Sequence, residues 1–469
     1  MNVDEAAKKA LANGFREIAR QFSVAGPFPA ELLNEAEHWV ARAEIDEVPG
    51  RLEKRRYVDL PFVTLDPATS TDLDQAFALQ RDGQHIILHY ALADVEAFVP
   101  PGCDLEREAW RRGLTIYSLE QKVSLYPAAI SQRAASLLPD GPRPAYLVTV
   151  SIDPNGELAL RQIERVVCSS QAKLSYDTFD VASVAYLEAF AKRVWANEMD
   201  RGAVRVEFPQ QAVISDPLAP GGVRLHLRPR VHSEHVNATL SLAVNLAIGS
   251  LFQQRQLGLF RVMDEPLPAS MRRLRRSAHA LGISWSEDQS LRDLQRDLDP
   301  DNWTHQQFLL EARRAGGRAK YATYDPLRPP WHSAIAGVYV HATAPMRRLA
   351  DRYVLELAWR LSRGENAPPE LLAQLQELPR VMERAETRAA NVDRAVIDLL
   401  EAVSLQHRIG EVLEAEVVDA ESGIVQTFDA AIRSRAAKLQ SKSNGDRVRV
   451  RIETANPQER KVVLTALED

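Results

Sequence analysis

The stretch YVDLPFVTLDPATSTDLDQAFAL, residues 57–79, decides how the chain is read. It opens as a strand, because Val58, Leu60, Phe62 and Thr64 form an apolar and β-branched run. Asp66, Asp72 and Asp74 then arrive within one short loop that also holds Pro67, Ser70 and Thr71. Strand-like residues resume at Ala76, Phe77, Ala78 and Leu79. Three carboxylates in one loop raise one another's pKa unless cations neutralise them. One or two divalent metals would do so, with magnesium the natural candidate, because it takes oxygen ligands and favours carboxylates. The same residue types also make ordinary solvated turns. The rest of the chain decides between the two readings.

A chain of 469 residues is expected to divide into roughly two to four domains. Its hydrophobic share of 45% and charged share of 26% are those of a soluble globular protein. There is no apolar run long enough to span a membrane, and the first residues, MNVDEAAKKALANGF, lack the features of a secretory signal. Cys103 and Cys168 form no metal pattern, which suits a reducing cytoplasm. A net charge of −6 argues against non-specific binding to nucleic acid, although local patches decide contact with a polyanion.

The fold class expected is α+β, in three parts. Residues 4–21 and 29–44 show helical spacing of Ala6, Ala10, Phe15 and Ile18, then of Leu32, Leu33, Ala36, Trp39 and Val40. Residues 1–48 would thus be a small helical unit. It is either a helix-turn-helix-like module or a cap packed on the next domain. Residues 50–403 read as one large mixed domain, with strands at His85–Tyr90, Tyr146–Ile152 and Leu158–Val167 and a turn at Asp153-Pro-Asn-Gly156. Long helices are expected over Val231–Gln256, Arg348–Ser362 and Pro369–Gln406. Residues 407–469 hold four strand-like pieces, which suggests a small barrel of the OB type. Between Ile432 and Arg451 this tail carries Arg433, Arg435, Lys438, Lys442, Arg447, Arg449 and Arg451 against the single acid Asp446. Such a face suits a single-stranded nucleic acid, although Phe428 is the tail's only aromatic residue. A solvated basic face is the plainer alternative.

Several blocks carry a family resemblance. TLDPATSTDLDQA, from Thr64, resembles the acidic signature of the ribonuclease II and ribonuclease R family. YALADVEAFV from Tyr90, LTIYSL from Leu114, GAVRVEFP from Gly202, FRVMDEP from Phe260 and HATAPMRRLAD from His341 resemble its later blocks, in order. The terminal barrel resembles the family's RNA-binding OB fold of the ribosomal-protein S-one type. Together the blocks cover roughly residues 55–469. The chain departs from the pattern at Gln75, where a fourth aspartate is usual, and at Met263 and Leu349. A pair of glutamates is missing before Asn245. About 50 helical residues stand where paired cold-shock barrels are usual.

The resemblance implies a processive 3′→5′ exoribonuclease that degrades and processes RNA, releasing nucleoside 5′-monophosphates with magnesium, or manganese in its place. Asp66, Asp72 and Asp74 would hold the metals, with Gln75 contributing a carbonyl oxygen. Two metals about 3.5–4 Å apart can activate water and stabilise both reacting oxygens. Asp74 and Asp72 would be catalytic. Arg347 would contact the phosphate beside the scissile bond, since guanidinium matches phosphate bidentately. Arg348 would bind RNA beside it. An ion pair with Asp351 or Glu356 is the structural alternative for this arginine pair. Tyr117 would stack on the 3′-terminal base and Phe208 on a second. Arg433, Arg435 and Lys438 would bind RNA on the barrel. Arg272–Arg276 and Arg313–Lys320, followed by Tyr321 and Tyr324, could line an RNA path or be solvated helix faces. The expected partner is the 3′ end of single-stranded RNA, and the expected state is a cytoplasmic monomer without membrane contact. The competing reading is an RNA-binding protein of the same fold whose catalysis is weakened by Gln75.

Overall fold

The computed structural model describes residues 3–44, 55–117, 122–203, 210–216, 223–228, 230–299, 302–420, 422–428, 432–439 and 442–467. Five strands, β1 (Arg56–Asp66), β2 (Gln75–Asp82), β3 (His85–Ala93), β4 (Arg143–Ile152) and β5 (Leu158–Ser175), close into a barrel. Neighbours run antiparallel, and a parallel pairing of β1 with β5 seals the cylinder. Closure removes both sheet edges. The sequence shows the strands but not the closure, because the long β5 runs eight residues past the apolar run that announces it. The Asp153–Gly156 turn forms as expected between β4 and β5. Gly156 has φ +85°, and a Cβ there would lie 2.7 Å from the Arg193 carbonyl oxygen.

Helices and small sheets wrap this barrel. α1 (Val3–Gln21) and α2 (Ala30–Glu44) come before it in the chain. After β3 come α3 (Asp104–Arg112), α4 (Leu187–Arg201), and the pair β6 (Gln210–Ser215) and β7 (Val223–Arg228). Then α5 (His232–Arg255) runs through the core. It buries Val236, Leu240, Val244, Ile248 and Phe252 and turns Asn237, Ser241 and Asn245 toward polar partners. By length and hydropathy alone it matches a membrane span, but most of it lies inside the protein. A further pair, β8 (Leu259–Val262) and β9 (Lys320–Thr323), brackets α6 (Pro268–Ala280), α7 (Leu291–Asp297) and α8 (Trp303–Ala315). These three helices share their own small core around Leu274, Leu294 and Phe308. Finally, α9 (Leu349–Ser362) and α10 (Pro369–Leu405) lead to the tail.

The N-terminal helices behave as a cap. Ala7, Leu11 and Ile18 of α1 share a cluster with Val392, Val396 and Leu399 of α10. Gly14 lets the two helices approach, since a Cβ there would meet the Leu399 side chain. Ala36 and Val40 of α2 join the main core instead. Each helix therefore packs on a different part of the domain, which is not how a helix-turn-helix module is built.

The tail is a second closed barrel. Its strands β10 (Val412–Asp419), β11 (Ile424–Thr427), β12 (Arg433–Ala437), β13 (Arg447–Asn456) and β14 (Lys461–Ala466) lie in the order β10-β11-β12-β14-β13. The piece GIVQTFDAAIRS, expected as one strand, divides into β11 and the start of β12. The barrel therefore has five strands where four pieces were expected.

Candidate active site

The acidic loop joins β1 to β2, and its backbone is pinned from several sides. The ammonium of Lys173 donates to the carbonyls of Ala68 at 2.8 Å and Ser70 at 2.5 Å. The Leu73 amide donates to the Ser136 hydroxyl, which donates in turn to the Thr71 carbonyl. The Ala93 amide of β3 donates to the Asp74 carbonyl. These bonds draw Asp66, Asp72 and Asp74 together, each no more than 6% exposed.

Asp74 is held by the HATAPMRR segment. The Met346 amide donates to its Oδ1 at 2.7 Å, and Arg347 Nε donates to its Oδ2 at 2.5 Å. That segment is itself anchored. Asn245 of α5 accepts from the Ala342 amide, and Asp351, in the first turn of α9, accepts from the Ala344 amide. Asp72 accepts from the Tyr117 hydroxyl at 2.9 Å, and the Lys122 ammonium stands 3.1 Å from the same Oδ2. Tyr117 reaches the loop because residues 114–116 bridge Arg348 on one side and Val123 on the other. The Thr115 amide also donates to the Arg347 carbonyl. Asp66 differs from both neighbours, since its Oδ2 is buried and has no hydrogen-bond partner.

Burial dominates the electrostatics. It pushes the Asp66 carboxyl up to about 7, helped by Asp74 and Asp72 and opposed by Arg347. It pushes Asp74 up to about 6, against the pull of Arg347 and the Met346 amide. Burial also holds the Tyr117 phenol above its usual range, so it stays a donor to Asp72. Among the described residues no three His, Cys, Asp or Glu side chains stand at the spacing of a preformed metal cage. The reason is visible: Asp74 and Asp72 are each turned onto a basic side chain. The donor chemistry nonetheless suits a hard divalent ion. A buried carboxylate oxygen without a partner is costly, and a cation beside it would remove that cost. Asp66, with Asp72 and Asp74 beside it, would hold such an ion.

The side chain of Gln75, expected to add an oxygen to the ligand set, is engaged by other partners. Its side-chain oxygen is bonded by the Tyr90 hydroxyl and, at 3.0 Å, by the Ser241 hydroxyl of α5. It ties the barrel to α5. Gln75 also lines a polar cavity of about 620 Å³ with Arg347, Arg348, Asn237, Asn245 and Tyr176. Asn237 donates to the Leu65 carbonyl and to the Tyr176 hydroxyl, so α5 braces the end of β1.

Arg348 lines the same cavity, but its guanidinium is paired with Asp351 at 2.7 Å. For Arg348 the ion-pair alternative therefore describes the structure, and Glu356 pairs with Arg360 instead. Tyr117 is half exposed, with its hydroxyl tied down and its ring at the surface. Phe208 lies outside the described residues. Of the basic stretches, Arg275 packs over Trp285 and caps carbonyls of the following loop, and Arg272, Arg273 and Arg276 are a solvated helix face. Lys320 pairs with Asp264, and Tyr321 is buried.

On the terminal barrel, Arg433 and Arg435 line a groove of about 550 Å³ with Arg460 and Lys461, closed on its other side by Arg394, Asp398 and Glu401 of α10. Lys438 is exposed outside that groove, with φ +64°. Sequence reasoning missed Lys122, Lys173, Ser241 and the Met346 amide. None carries a local signal, and a lysine five residues past Tyr117 was the nearest thing to one.

The RNB domain family matches residues 54–363. The chain belongs to that family. It is 25% identical over 423 residues to ribonuclease R of Aquifex aeolicus, covering 84% of this chain and 58% of the relative. It is 24% identical over 380 residues to the exosome complex exonuclease RRP44 homolog A of Arabidopsis thaliana, covering 76% of this chain and 40% of that one. The chain thus spans well under two thirds of these relatives. In fold it resembles Mycoplasma genitalium RNase R, with a TM-score of 0.84 at 19% identity over 97% of this chain and 77% of the other. That enzyme has also been solved with single-stranded and with double-stranded RNA. Yeast Ssd1, described as a pseudonuclease, resembles the RNB fold here at a TM-score of 0.66 and 16% identity, over 83% of this chain and 51% of Ssd1.

Proposed function

We propose that this RNB protein is a divalent-metal-dependent 3′→5′ exoribonuclease. Magnesium is its ion, with manganese able to replace it, and nucleoside 5′-monophosphates are its products. It acts as a cytoplasmic monomer on the 3′ end of single-stranded RNA. The observation that carries this reading is Asp66, buried with a partnerless oxygen beside Asp72 and Asp74. The cavity next to them is lined by Arg347.

The bound ion supplies charge neutralisation and an activated water for attack on the phosphate. The chain's own residues do the positioning. Asp74, fixed by the Met346 amide and Arg347, keeps the third carboxylate in a set orientation. Arg347, already next to the acids, can turn one of its remaining N–H groups to a phosphate oxygen. Tyr117, its hydroxyl held by Asp72, offers a ring face to a base of any identity, as an unselective exonuclease requires. Arg433 and Arg435 on the tail barrel bind the strand farther from the cut.

The test is Asp74→Asn on a 3′-labelled single strand. It should bind RNA as the unaltered chain does and lose about a thousandfold or more in mononucleotide release, since metal charge stabilisation is worth several kcal/mol. Hydrolysis at the unaltered rate would sink the assignment. A second reading, RNA binding with weak catalysis, is favoured by one observation: Gln75 offers no carboxylate and is bonded to Tyr90 and Ser241. Robust mononucleotide release by the purified chain with magnesium would exclude it.

A further inference from the structure

The site holds three carboxylates and, within bonding distance of them, two basic side chains. Arg347 is on Asp74 and Lys122 is on Asp72, while Asp66 has an oxygen left over. The two basic groups are not equivalent. Arg347 comes from the segment that also supplies the Met346 amide, so its place belongs to the architecture of the loop. Lys122 comes from the far side of Tyr117. Its ammonium lies 3.1 Å from Asp72 Oδ2 and 5.8 Å from the centre of the Tyr117 ring, and only 22% of its side chain is exposed. It is thus a largely buried cation seated between a carboxylate and an aromatic face, which together hold it in place.

We propose that Lys122 is a resident cation of the active site. It takes the position on Asp72 that a second divalent ion would otherwise fill, so the chain binds one divalent ion, at Asp66. The contacts support this: Arg347 already engages Asp74 and Lys122 already engages Asp72, so Asp66 keeps a buried oxygen open to an ion. A second divalent ion on Asp72 would have to displace Lys122, and Gln75, the residue after Asp74, adds no carboxylate to the loop. An ammonium is a compact point charge on a flexible stem, so it can neutralise Asp72 without a fixed ligand geometry. Lys122 is a positioning residue here. It sets the charge and the orientation of Asp72 and, through the shared oxygen, of the Tyr117 hydroxyl.

The inference rests on the exoribonuclease reading for its purpose but not for its test, which uses no RNA. Manganese binding to the full-length chain is followed by calorimetry and by the spin-resonance signal of the free ion. The variants are Lys122→Met, which keeps the stem and removes the charge, and Lys122→Arg, which keeps a charge. The unaltered chain and Lys122→Arg should each take up one equivalent. Lys122→Met should take up a second, because Asp72 is released. In a companion assay of RNA hydrolysis, Lys122→Met should need about tenfold less metal for half-maximal rate, because a charge that opposes the ion is gone. Identical stoichiometry in all three proteins, or two equivalents in the unaltered chain, would overturn the proposal. Circular dichroism and thermal melting of Lys122→Met separate a folding defect from a change in site charge. If the stoichiometry changes as expected but no variant hydrolyses RNA, the cation assignment stands and the enzymatic reading falls.

Discussion

The chain builds two closed five-stranded barrels and uses charge in opposite ways in them. In the barrel of β1–β5 the charges that shape the site are inside, beside one surface pair of Arg56 with Glu164. Asp94, fully buried at the end of β3, receives Arg55 at 2.7 Å and Arg165 at 2.8 Å, and Asp74 receives Arg347 from 273 residues away. In the barrel of β10–β14 the charges are outside. Arg447, Arg449 and Arg451 alternate with buried Val448, Val450 and Ile452, and the register sets Arg447 against Glu416 and Arg449 against Glu414. A buried charge must find partners wherever the fold brings them, whereas an exposed one needs only water and a neighbour on the next strand. The candidate site sits at the barrel whose charges depend on distant partners, and for that reason it is ordered by the whole domain.

The largest expected consequence of this difference is in stability. Asp94→Asn leaves two arginines facing a neutral amide and should cost about 3–5 kcal/mol, read from urea unfolding. Glu414→Gln, which removes one partner of a surface cross-strand pair, should cost less than about 1 kcal/mol. Equal losses would mean that the two barrels do not differ in the way described.

Acid separates them next. His341 opens the HATAPMRR segment, and His332 and His341 both pack edge-on against Tyr339 just before it. Burial keeps both imidazoles neutral, with Arg261 adding repulsion at both and Arg348 at His341. Burial pulls His332 down from 6.5 to about 4, and His341 goes further in the same direction. The folded state therefore refuses protons that the unfolded chain accepts. Stability is unaffected above the ordinary histidine range and falls as pH drops from 6.5 toward 4, by about 3 kcal/mol for His332 alone. Asp66 and Asp74, whose carboxyls are raised, act in the opposite sense over the same window, so the histidine contribution is read as a difference between proteins. The stability of His332→Gln relative to the unaltered chain should rise as pH drops from 6.5 toward 4, and a difference independent of pH would refute the assignment.

The same contrast explains what could be read from the sequence. The long helices are legible because α9 and α10 carry their apolar stripe in their own residues, and their observed limits fall within one residue of those expected. The exposed arginines of β13 are legible because alternation announces them. Asp66, Asp72 and Asp74 are legible as a cluster because they are local, and their number is unusual for a loop. What each of them touches is not. Lys122 on Asp72, the Met346 amide on Asp74 and Ser241 on Gln75 are contacts across 50, 272 and 166 residues, set by how β1–β5 close and where α5 lies. Barrel closure itself depends on the parallel pairing of β1 with β5, which no local pattern encodes. Arg348 shows the limit from the other side. The residue pair Arg347-Arg348 looks uniform in sequence, yet one arginine reaches the acidic loop and the other pairs with Asp351 three residues on.

The smallest expected effect concerns the outer face of the second barrel, where the basic residues divide by what opposes them. Arg447 and Arg449 sit across from Glu416 and Glu414, so much of their charge is already answered within the barrel. Arg433 and Arg435 instead line the groove against α10, together with Arg460, whose Nη1 is buried without a partner, and Lys461. Among the described residues of that lining, the acids Asp398 and Glu401 face five basic side chains. A phosphate backbone should therefore be bound from the groove and hardly at all from β13. Binding of a single-stranded RNA about 16 nucleotides long, measured by anisotropy in chelator across a range of salt, tests this. Arg433→Ala and Arg435→Ala should each lower the slope of log affinity against log salt by about one, whereas Arg447→Ala and Arg449→Ala should leave it unchanged. If the β13 variants lower the slope and the groove variants do not, the strand runs over the paired face, and the cross-strand glutamates must be giving way to phosphate.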